Sequence, residues 1–526
     1  MAIFEKKIVE KVTLDDTETI TCVIENSQTI NGHTEYALRV QRGPIRSNCW
    51  RVYRRYNDFI SLHNHLQTSC ISLPLPPKKL IGNMSRDFIA ERQAALQNYI
   101  NIVLMNPILA SSLATKKFVD PDNYSTPFQE VALQHVSLAL RGEVGWEVMG
   151  PLGDIGWRLR KHYFQVRNRS NPKDELLASW VEYGPDKYLD EKDLQLVFKS
   201  LLQLKHPNIY PFELCLCTEV GGLTVRKFGK NGSLRDLLCG AKPKQSFLKK
   251  YGNPKGHKPL TERQIIIFSR QILETLSFLH EKGVPYGHLH TGNIFIENDD
   301  TIKLLDIENG VLGVPSFYRP YFVQHKKIST LESIDVYSFG HTLFEMVFGR
   351  PLHESVCDNF PNECSPLIKS VLDSILSSEA CRNGLPTINN LLSHKCFTAL
   401  NTNNVSSNHE QRAHLKFSTA IKEKLKYVSS KIEERLKDEQ KLVRSQKRIA
   451  RVQEMMSTEE EKKKRRHKKH ESKEIETKEQ LPKEQLTLNG VSPDRSESVN
   501  SGSTATSIGT VTPPSSSGLQ VMDFRC

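Results

Sequence analysis

Three side chains in the middle of the chain could together carry acid–base and metal chemistry. His288 and Asn293 lie in the stretch Tyr-Gly-His-Leu-His-Thr-Gly-Asn at positions 286–293, and Asp306 follows thirteen residues after Asn293. A neutral imidazole can accept a hydroxyl proton near pH 7, and amide and carboxylate oxygens are ligands for Mg²⁺. A simpler alternative is that Asn293 bonds backbone in its own loop and that Asp306 caps a turn.

This stretch resembles the catalytic loop of protein kinases, His-Arg-Asp-Leu-x-x-x-Asn, in which the Asp is the base and the Asn is a magnesium ligand. On that resemblance His288 replaces the catalytic Asp, Asn293 is retained, and Asp306 stands where kinases carry Asp-Phe-Gly. Further kinase-like segments occur in the order that they have in kinases. Three precede this loop, namely Leu201–Ile209, Gly232–Leu238 and the apolar stripe of 264–281, and Asp335–Gly340 comes after it. The resemblance implies a bilobal protein-kinase-like domain over residues 145–400.

Positions that kinases use to hold ATP carry other residues here. In the candidate third strand, 177–180, Trp180 stands where the phosphate-binding Lys belongs, and Val197 stands where its Glu partner belongs. The candidate phosphate-covering loop, 150–157, has glycines three apart and contains a Pro, which is more typical of an ordinary turn. We therefore expect a pseudokinase with no catalytic residue and no cofactor, apart from weak Mg-ATP binding through the two retained metal-ligand positions. The alternative is a weakly active, atypical serine/threonine kinase that uses a displaced Lys.

A second set of residues could bind a phosphorylated sugar. Arg54–Phe59 reads Arg-Arg-Tyr-Asn-Asp-Phe, Pro74-x-x-Pro77-x-Lys79 follows it, and Arg92 lies in helical sequence. A guanidinium fork can hold two phosphate oxygens at once. Taken singly, the proline run is more typical of a rigid connector or an SH3 ligand. An Arg-Arg-Tyr sequence at the end of a strand is, by itself, more typical of an ordinary surface edge.

Together these motifs resemble a PX (phox homology) domain, and the resemblance implies binding of a 3-phosphoinositide such as phosphatidylinositol 3-phosphate. The residues that it assigns to the headgroup are Arg55 for the 3-phosphate, Tyr56 for the sugar face, Lys79 for the 1-phosphate and Arg92 for the ring hydroxyls. The residues that it assigns to a membrane-insertion loop are Leu80, Ile81 and Met84. Some domains of this fold bind proteins or other lipids instead.

The elements that must position these residues follow from the apolar pattern. Strand-like alternation covers 19–24, 36–40 and 49–55, and helical sequence covers 58–66 and 86–105. We expect a small α+β domain over residues 10–122, built as a three-stranded meander packed on helices.

The sequence after residue 413 is first charged and helical, and then polar. Apolar residues recur at three- and four-residue spacing from Ile421 to Leu436, which fits either a helix with one face against the kinase-like lobe or a coiled-coil helix. We predict a charged helix with a basic run at 413–470 and a disordered tail at 471–526. The basic run at 462–470 is a solvated surface, a second membrane contact or a nuclear address. Because no aromatics interleave with it, we expect no nucleic-acid partner.

Length and composition limit the folds and functions that are possible. A chain of 526 residues is too long for one hydrophobic core, so several modules are expected. Its eleven cysteines are dispersed, which fits a reduced cytoplasmic protein rather than a disulfide framework. No apolar run reaches the length of about 18 residues that a membrane span needs. The net charge of +12 indicates an anionic partner.

A PX domain followed by a degenerate kinase domain resembles the family of PX-domain-containing serine/threonine kinase-like proteins. That resemblance implies a cytoplasmic scaffold that lies peripherally on endosomal or plasma membranes and acts in endosomal trafficking. Its implied partners are membrane-protein cargo and sodium-pump subunits, whose activity it would modulate. Actin binding is doubtful, because 471–526 contains no convincing actin-binding match. An actin- or nuclear-associated adaptor is the remaining alternative.

Overall fold

The computed structural model describes residues 14–78, 85–361, 364–398 and 413–478. The chain divides into two compact units, Met1–Lys447 and Arg448–Cys526. The predicted fold class is confirmed, because a small α+β domain over the predicted PX region precedes a two-lobed, kinase-like domain with a five-stranded sheet, and a charged helix follows.

The first domain is an antiparallel meander packed on helices. Its strands β1 (Ile20–Ile30), β2 (His33–Arg42) and β3 (Cys49–Arg55) pair in sequence order. Asn31 and Gly32 both have positive φ, which a two-residue hairpin turn between strands of this twist requires. The helices of this domain are α1 (Tyr56–Leu66), α2 (Arg86–Met105), α3 (Pro107–Ala110), α4 (Leu113–Val119) and α5 (Pro121–Tyr124).

A five-stranded antiparallel sheet forms the first lobe of the kinase-like domain. The sheet has the order β4-β5-β6-β8-β7. Its elements, with the helix α6 that precedes them, are α6 (Phe128–Arg141), β4 (Trp146–Pro151), β5 (Lys161–Asn168), β6 (Leu176–Glu182), α7 (Glu191–Leu202), β7 (Leu214–Cys217) and β8 (Gly221–Lys227). Helix α6 covers one face of the sheet with Ala132, Val136 and Leu140, so the other face is left to line a cleft.

The second lobe is mainly helical and holds the larger core. Its helices are α8 (Leu234–Leu238), α9 (Phe247–Tyr251), α10 (Glu262–Glu281), α11 (Asn309–Leu312), α12 (Arg319–Phe322), α13 (Leu331–Phe348), α14 (Pro366–Leu376), α15 (Ser378–Asn383), α16 (Ile388–Leu392) and α17 (Lys395–Thr398). A two-stranded sheet, β9 (Ile294–Asn298) with β10 (Thr301–Leu304), follows the loop that resembles a catalytic loop. That loop is held by the buried Asp335 of α13, which accepts hydrogen bonds from Gly287 N and His280 Nε2.

A long helix, α18 (Thr419–Lys478), begins on the kinase-like domain. Up to Lys447 it buries Ile421, Leu425, Val428 and Leu436 in the core of the second lobe. Within the first unit, the apolar residues of this helix therefore pack on the kinase-like lobe, which was one of the two predicted alternatives, and do not form a coiled coil. From Arg448 the helix belongs to the second unit, where the side chains of the basic run 462–470 lie outside the described residues.

Two arginines tie this helix to three other parts of the first unit. Arg319 of α12 pairs with Asp15 of the N-terminal segment (3.0 Å) and with Glu439 of α18 (2.5 Å). Arg435 of α18 pairs with Asp186 (2.8 Å), which lies between β6 and α7. Because Arg319, Asp15 and Asp186 are all buried, the network fixes the PX domain, both lobes and the helix against one another.

The PX domain also packs directly on the second lobe. Ile108 of α3 forms an apolar cluster with Cys239, Phe247 and Tyr251, and Leu248 of α9 contributes to the PX core. The two domains of the first unit are therefore joined by a packed interface as well as by charges.

Candidate functional sites

Two of the four predicted headgroup residues, Tyr56 and Arg92, contact each other, and Arg55 directly precedes Tyr56 in the chain. Arg55 ends β3, Tyr56 begins α1, and Arg92 lies one and a half turns into α2. The guanidinium carbon of Arg92 lies 4.3 Å from the centroid of the Tyr56 ring and 4.2 Å from that of Phe88. The starts of α1 and α2 thus place one cation against one ring, and Arg55 lies next to them at the end of β3; we call this region the headgroup pocket.

The proline loop closes this pocket from one side. The Tyr56 hydroxyl donates to the carbonyl oxygen of Pro76, and Arg92 Nη2 donates to that of Pro77 at 3.4 Å. Arg92 is buried, and its Nε has no hydrogen-bond partner among the described residues. A buried guanidinium with an unused donor can bind an oxygen-rich ligand.

Arg55 is half exposed and has an acidic neighbour that the sequence reading missed. Its Nε lies 3.1 Å from Oε1 of Glu35, and His33 Nε2 contacts the same oxygen at 3.2 Å. Hydrogen bonds from His33 and Arg55 lower the pKa of Glu35, so the carboxylate stays charged. Glu35 faces Arg55 across the β2–β3 pair, a relation that depends on strand register and is not visible in the sequence order.

The remaining predicted lipid contacts, Lys79 together with the insertion-loop residues Leu80, Ile81 and Met84, lie outside the described residues. They stay predictions. Arg54, the other arginine of the strand end, turns away from the pocket, because its Nε donates to the carbonyl oxygen of Phe118 at 2.8 Å. Of the two adjacent arginines, only Arg55 is therefore available to a headgroup.

The second candidate site is the cleft between the two kinase-like lobes, a cavity of about 160 Å³. Leu177 and Ser179 of β6 line it, whereas Ala178 and Trp180 point to the opposite face of the sheet. Trp180 is fully buried there and stacks on His135 of α6 at 5.3 Å. The residue that faces the cleft at the expected Lys position is therefore Ser179, a correction of one residue, because side chains alternate along a strand.

A lysine does reach this cleft, but from the neighbouring strand. Lys161 begins β5, and its Nζ lies 2.7 Å from Asp306 Oδ2. Although burial alone would raise the pKa of Asp306, Lys161 and Arg226 lower it well below its usual range. The retained acid of the cleft is thus already neutralised by a protein cation.

Among the residues that the structure describes, no ion pair joins helix α7 to the cleft, and another pair lies deeper in it. Val197, at the expected Glu position, is buried in the large apolar core that α7 shares with the second lobe. Glu308 follows Asp306 by two residues and is fully buried, with Oε2 2.7 Å from Arg226 Nη2 of β8. It also accepts a hydrogen bond from the Thr224 hydroxyl at 3.1 Å. A cation–carboxylate pair of the protein itself therefore lies deep in the cleft.

His288 is buried and is engaged by an arginine. Burial and the nearby Arg158 lower the pKa of His288 well below its usual value, so the imidazole is neutral at pH 7. Arg158 Nη2 lies 3.1 Å from His288 Nδ1, and its Nη1 donates to the carbonyl oxygen of Pro315 at 2.6 Å. Because arginine can only donate, Nδ1 must be the accepting nitrogen and Nε2 must carry the proton. No ring nitrogen is then left to accept a proton from a substrate hydroxyl.

Asn293 also makes a local contact. Its Nδ2 donates to the carbonyl oxygen of His288 at 3.0 Å, so the amide is used inside its own loop. Among the described residues, no group of three or more His, Cys, Asp or Glu side chains is placed to hold a metal ion. Asn293 and Asp306 would be the ligands of a weakly bound Mg-ATP, and that binding stays a prediction.

Comparison with known proteins agrees with this two-domain reading. The PX domain family matches residues 44–122, and the protein kinase domain family matches residues 186–397. The chain is 49% identical over 453 residues to the PX domain-containing protein kinase-like protein of Mus musculus, covering 86% of this chain and 77% of that protein. The protein of that name from Rattus norvegicus is 48% identical over the same shares.

More distant relatives match only part of the chain. The Slowpoke-binding protein of Drosophila melanogaster is 32% identical over 242 residues, covering 43% of this chain and 45% of that protein. A protein of Dictyostelium discoideum, named "Probable inactive serine/threonine-protein kinase slob1", is 32% identical over 268 residues, with shares of 44% and 45%. Within the described ranges, no helix of this chain is both long enough and apolar enough to cross a bilayer.

Proposed function

The chain belongs to the family of PX domain-containing protein kinase-like proteins, and on that premise we propose that it is a membrane-recruited pseudokinase scaffold. The PX domain binds a 3-phosphoinositide, and the kinase-like domain binds other proteins instead of transferring phosphate. The observation that carries this proposal is the contact between Arg92 and Tyr56, which directly follows the exposed Arg55 at the end of β3.

The chemistry of this pocket suits the phosphoinositide headgroup. Arg55 has 54% of its side chain exposed, so its guanidinium fork can reach a phosphate at the membrane surface. Tyr56 offers a ring face to the sugar, and the unused Nε of Arg92 offers a donor to ring hydroxyls. Phosphatidylinositol 3-phosphate is the ligand that we favour, with Lys79 on its 1-phosphate and the loop of Leu80, Ile81 and Met84 in the bilayer surface. The basic run at 462–470 would add a second contact with anionic lipids.

The kinase-like domain has little capacity for phosphate transfer. A catalytic base must accept a proton, but the accepting nitrogen of His288 already receives a hydrogen bond from Arg158. The relatives that are named as inactive kinases support the same reading. We therefore assign the domain a binding role and no catalytic residue.

The partners that we propose are integral membrane proteins. A relative whose name states that it binds Slowpoke matches 43% of this chain. Family resemblance adds sodium-pump subunits and endosomal cargo. A scaffold that binds a lipid with one domain and a membrane protein with the other would act in endosomal trafficking, peripherally on endosomal or plasma membranes.

Localisation of the fluorescently tagged full chain in cells tests this proposal. We expect endosomal puncta that disperse when phosphatidylinositol 3-phosphate is depleted and when Arg55 is changed to Ala, and that persist in His288→Ala. Sodium-pump subunits should co-purify with the wild-type chain after mild crosslinking. Puncta that survive both lipid depletion and Arg55→Ala would exclude lipid-dependent recruitment.

An atypical, weakly active kinase is the second candidate, because Lys161 supplies a displaced lysine beside Asp306. This candidate predicts transfer of ³²P from ATP to a protein substrate, lost in Asp306→Ala. Transfer that persists in Asp306→Ala would be a contaminating activity, whereas transfer lost in that variant would replace the pseudokinase assignment.

A further inference from the structure

The cleft between the kinase-like lobes has one cation more than its carboxylates can balance. Four buried pairs line or flank it: Lys161–Asp306, Arg226–Glu308, Arg235–Glu345 and Lys250–Asp236. Lys227, at its edge, pairs with Asp174. Arg158 also lines the cavity, and no carboxylate among the described residues lies within 4.0 Å of it. A partly buried positive charge without a counterion favours an anionic ligand.

The polar atoms without partners in this cleft are mainly donors. Buried side-chain atoms of four cavity-lining residues make neither a hydrogen bond nor an ion pair within the described parts of the chain, and these atoms are Arg158 Nε, Ser179 Oγ, Arg226 Nε and His290 Nε2. His290 Nδ1 accepts from Gly292 N at 3.1 Å, so Nε2 of the neutral ring carries the proton. Because buried polar atoms in folded proteins are usually paired, several unpaired donors around one cavity indicate a ligand rich in acceptors.

Arg158 and Lys161 enter the cleft from the same edge, on the turn before β5 and at its first residue. Arg158 stacks on Trp157 at 4.3 Å and reaches His288, while Lys161 reaches Asp306. Burial lowers the pKa of Arg158 to about 10, although Asp306 opposes this, so the side chain remains charged at pH 7. Two fixed cations thus lie beside the two positions, His288 and Asp306, where a kinase handles the transferred phosphate.

We propose that this cleft binds a phosphate-bearing anion without a divalent metal, held by Arg158 and Lys161. Phosphate oxygens supply the acceptors that the unpaired donors lack, and guanidinium and ammonium groups are their usual protein ligands. A metal is not needed, because the Lys161 ammonium already neutralises Asp306, the acid that would otherwise hold Mg²⁺.

The cavity has room for such a ligand. Its volume is about 160 Å³. Because one water molecule needs about 10–15 Å³ by the same measure, the cavity admits several phosphate groups or part of a nucleotide. Tyr210, Phe228 and Phe295 line the same cavity and could take a base. Inorganic pyrophosphate and a nucleoside triphosphate share the chemistry that Arg158 and Lys161 recognise, and the experiment separates them.

Ligand-induced thermal stabilisation of the full chain tests the proposal. We expect pyrophosphate and ATP, each with EDTA, to raise the Tm, and we expect Mg²⁺ to add nothing to either. Adenosine should stabilise more weakly than ATP. Stabilisation by ATP but not by pyrophosphate would make the ligand a nucleotide whose base is required, and the metal-free site would stand. No stabilisation by either anion in EDTA, stabilisation that requires Mg²⁺, or equal stabilisation by adenosine would overturn the proposal.

Three variants locate the site. Arg158→Gln should weaken the dissociation constant for the anion about tenfold or more, as expected for loss of a charged hydrogen-bond donor. Arg158→Lys keeps the positive charge and serves if Arg158→Gln proves unstable. Its dissociation constant for the anion should lie between those of the wild type and Arg158→Gln. Arg167→Gln, at an exposed arginine of the same strand β5, should bind as wild type.

The lipid site is separated by repeating the titration in Arg55→Ala. Unchanged anion binding in this variant, combined with its loss in Arg158→Gln, assigns the anion to the cleft whether or not the PX proposal holds. Anion binding that follows Arg55 and ignores Arg158 would contradict the proposal.

Discussion

Lys161 of strand β5 lies 2.7 Å from Asp306, the one acid that the kinase-like cleft retains at its metal-ligand position. In kinases that acid holds Mg²⁺, and a lysine on the third strand of the first lobe contacts the nucleotide phosphates. Here β6 takes the place of that third strand, but the lysine lies on its neighbour β5 and contacts the acid itself. In the cleft between the lobes, the charge of Asp306 is therefore balanced by a cation of the protein itself.

The placement of Trp180 in the core, and not in the cleft, predicts a large stability effect. Changing Trp180 to Ala removes a fully buried ring that packs against α6, so the free energy of unfolding should fall by about 3–5 kcal/mol. Ser179→Ala, at the neighbouring cleft-facing position, should cost less than about 1 kcal/mol, because the Ser179 hydroxyl has no partner among the described residues. Urea unfolding of the two variants measures both values. Equal effects would argue against the strand register.

The charge network around Arg319 predicts that its loss will loosen the whole first unit. Arg319→Met leaves the buried carboxylates of Asp15 and Asp186 with Arg435 as their only strong cation, which should cost about 3–5 kcal/mol. The control is Arg270→Met, which breaks an exposed pair with Glu274 and should cost under about 0.5 kcal/mol. Denaturant unfolding measures both, and limited proteolysis should show release of α18 only in Arg319→Met. Similar small losses in both variants would mean that the network contributes little.

Buried neutral histidines predict acid sensitivity. Burial, with a smaller contribution from His325, lowers the pKa of His341 to about 3, against an ordinary value of about 6.5 in the unfolded chain. Between these two pKa values the unfolded chain binds more protons than the folded protein. The contribution of His341 to the free energy of unfolding therefore keeps its full value above about pH 6.5 and falls by about 1.4 kcal/mol for each pH unit below it.

His341→Phe isolates this effect, because neither ring nitrogen of His341 has a hydrogen-bond partner within the described residues and the ring stacks on Tyr318 at 4.5 Å. The free energy of unfolding of the variant, measured between pH 6.5 and 4, should decline less steeply than that of the wild type by about 1.4 kcal/mol per pH unit. Parallel curves for the two proteins would show that His341 is not held neutral in the fold.

The Glu35–Arg55 pair predicts a gain of lipid affinity on removing the acid. Glu35→Gln takes a negative charge away from the expected 3-phosphate position and releases Arg55, so binding to phosphatidylinositol 3-phosphate vesicles should tighten by about two- to fivefold. Glu25→Gln, which breaks a similar exposed pair with Arg51 on the same sheet, is the matched control and should leave affinity unchanged. Weaker binding of Glu35→Gln would mean that Glu35 orients Arg55 for the headgroup.

Much of the fold follows from local sequence pattern. The helix expected over 86–105 is α2, Arg86–Met105, because its apolar residues recur at helical spacing over five turns. The three-stranded meander followed from alternation in the same way. These features depend on neighbours along the chain, and local periodicity reports on such neighbours.

The errors and omissions of the sequence reading share one cause, which is pairing between strands. A strand pattern does not say which of two adjacent residues faces a cleft, so Trp180 was predicted in place of Ser179. Lys161 and Glu35 were missed because each meets its partner only through tertiary packing or strand register. A search for a lysine on the strand before the candidate third strand could have found Lys161.

Vesicle co-sedimentation of the purified full chain tests the central claim that this protein acts through lipid recognition by its PX domain. We expect binding to vesicles with phosphatidylinositol 3-phosphate, little binding to vesicles of equal negative charge without it, and an affinity weakened about tenfold or more in Arg55→Ala. Arg51→Ala, an exposed arginine on the same strand, should bind as wild type. Equal binding by Arg55→Ala and wild type, or equal binding to both kinds of vesicle, would contradict the account.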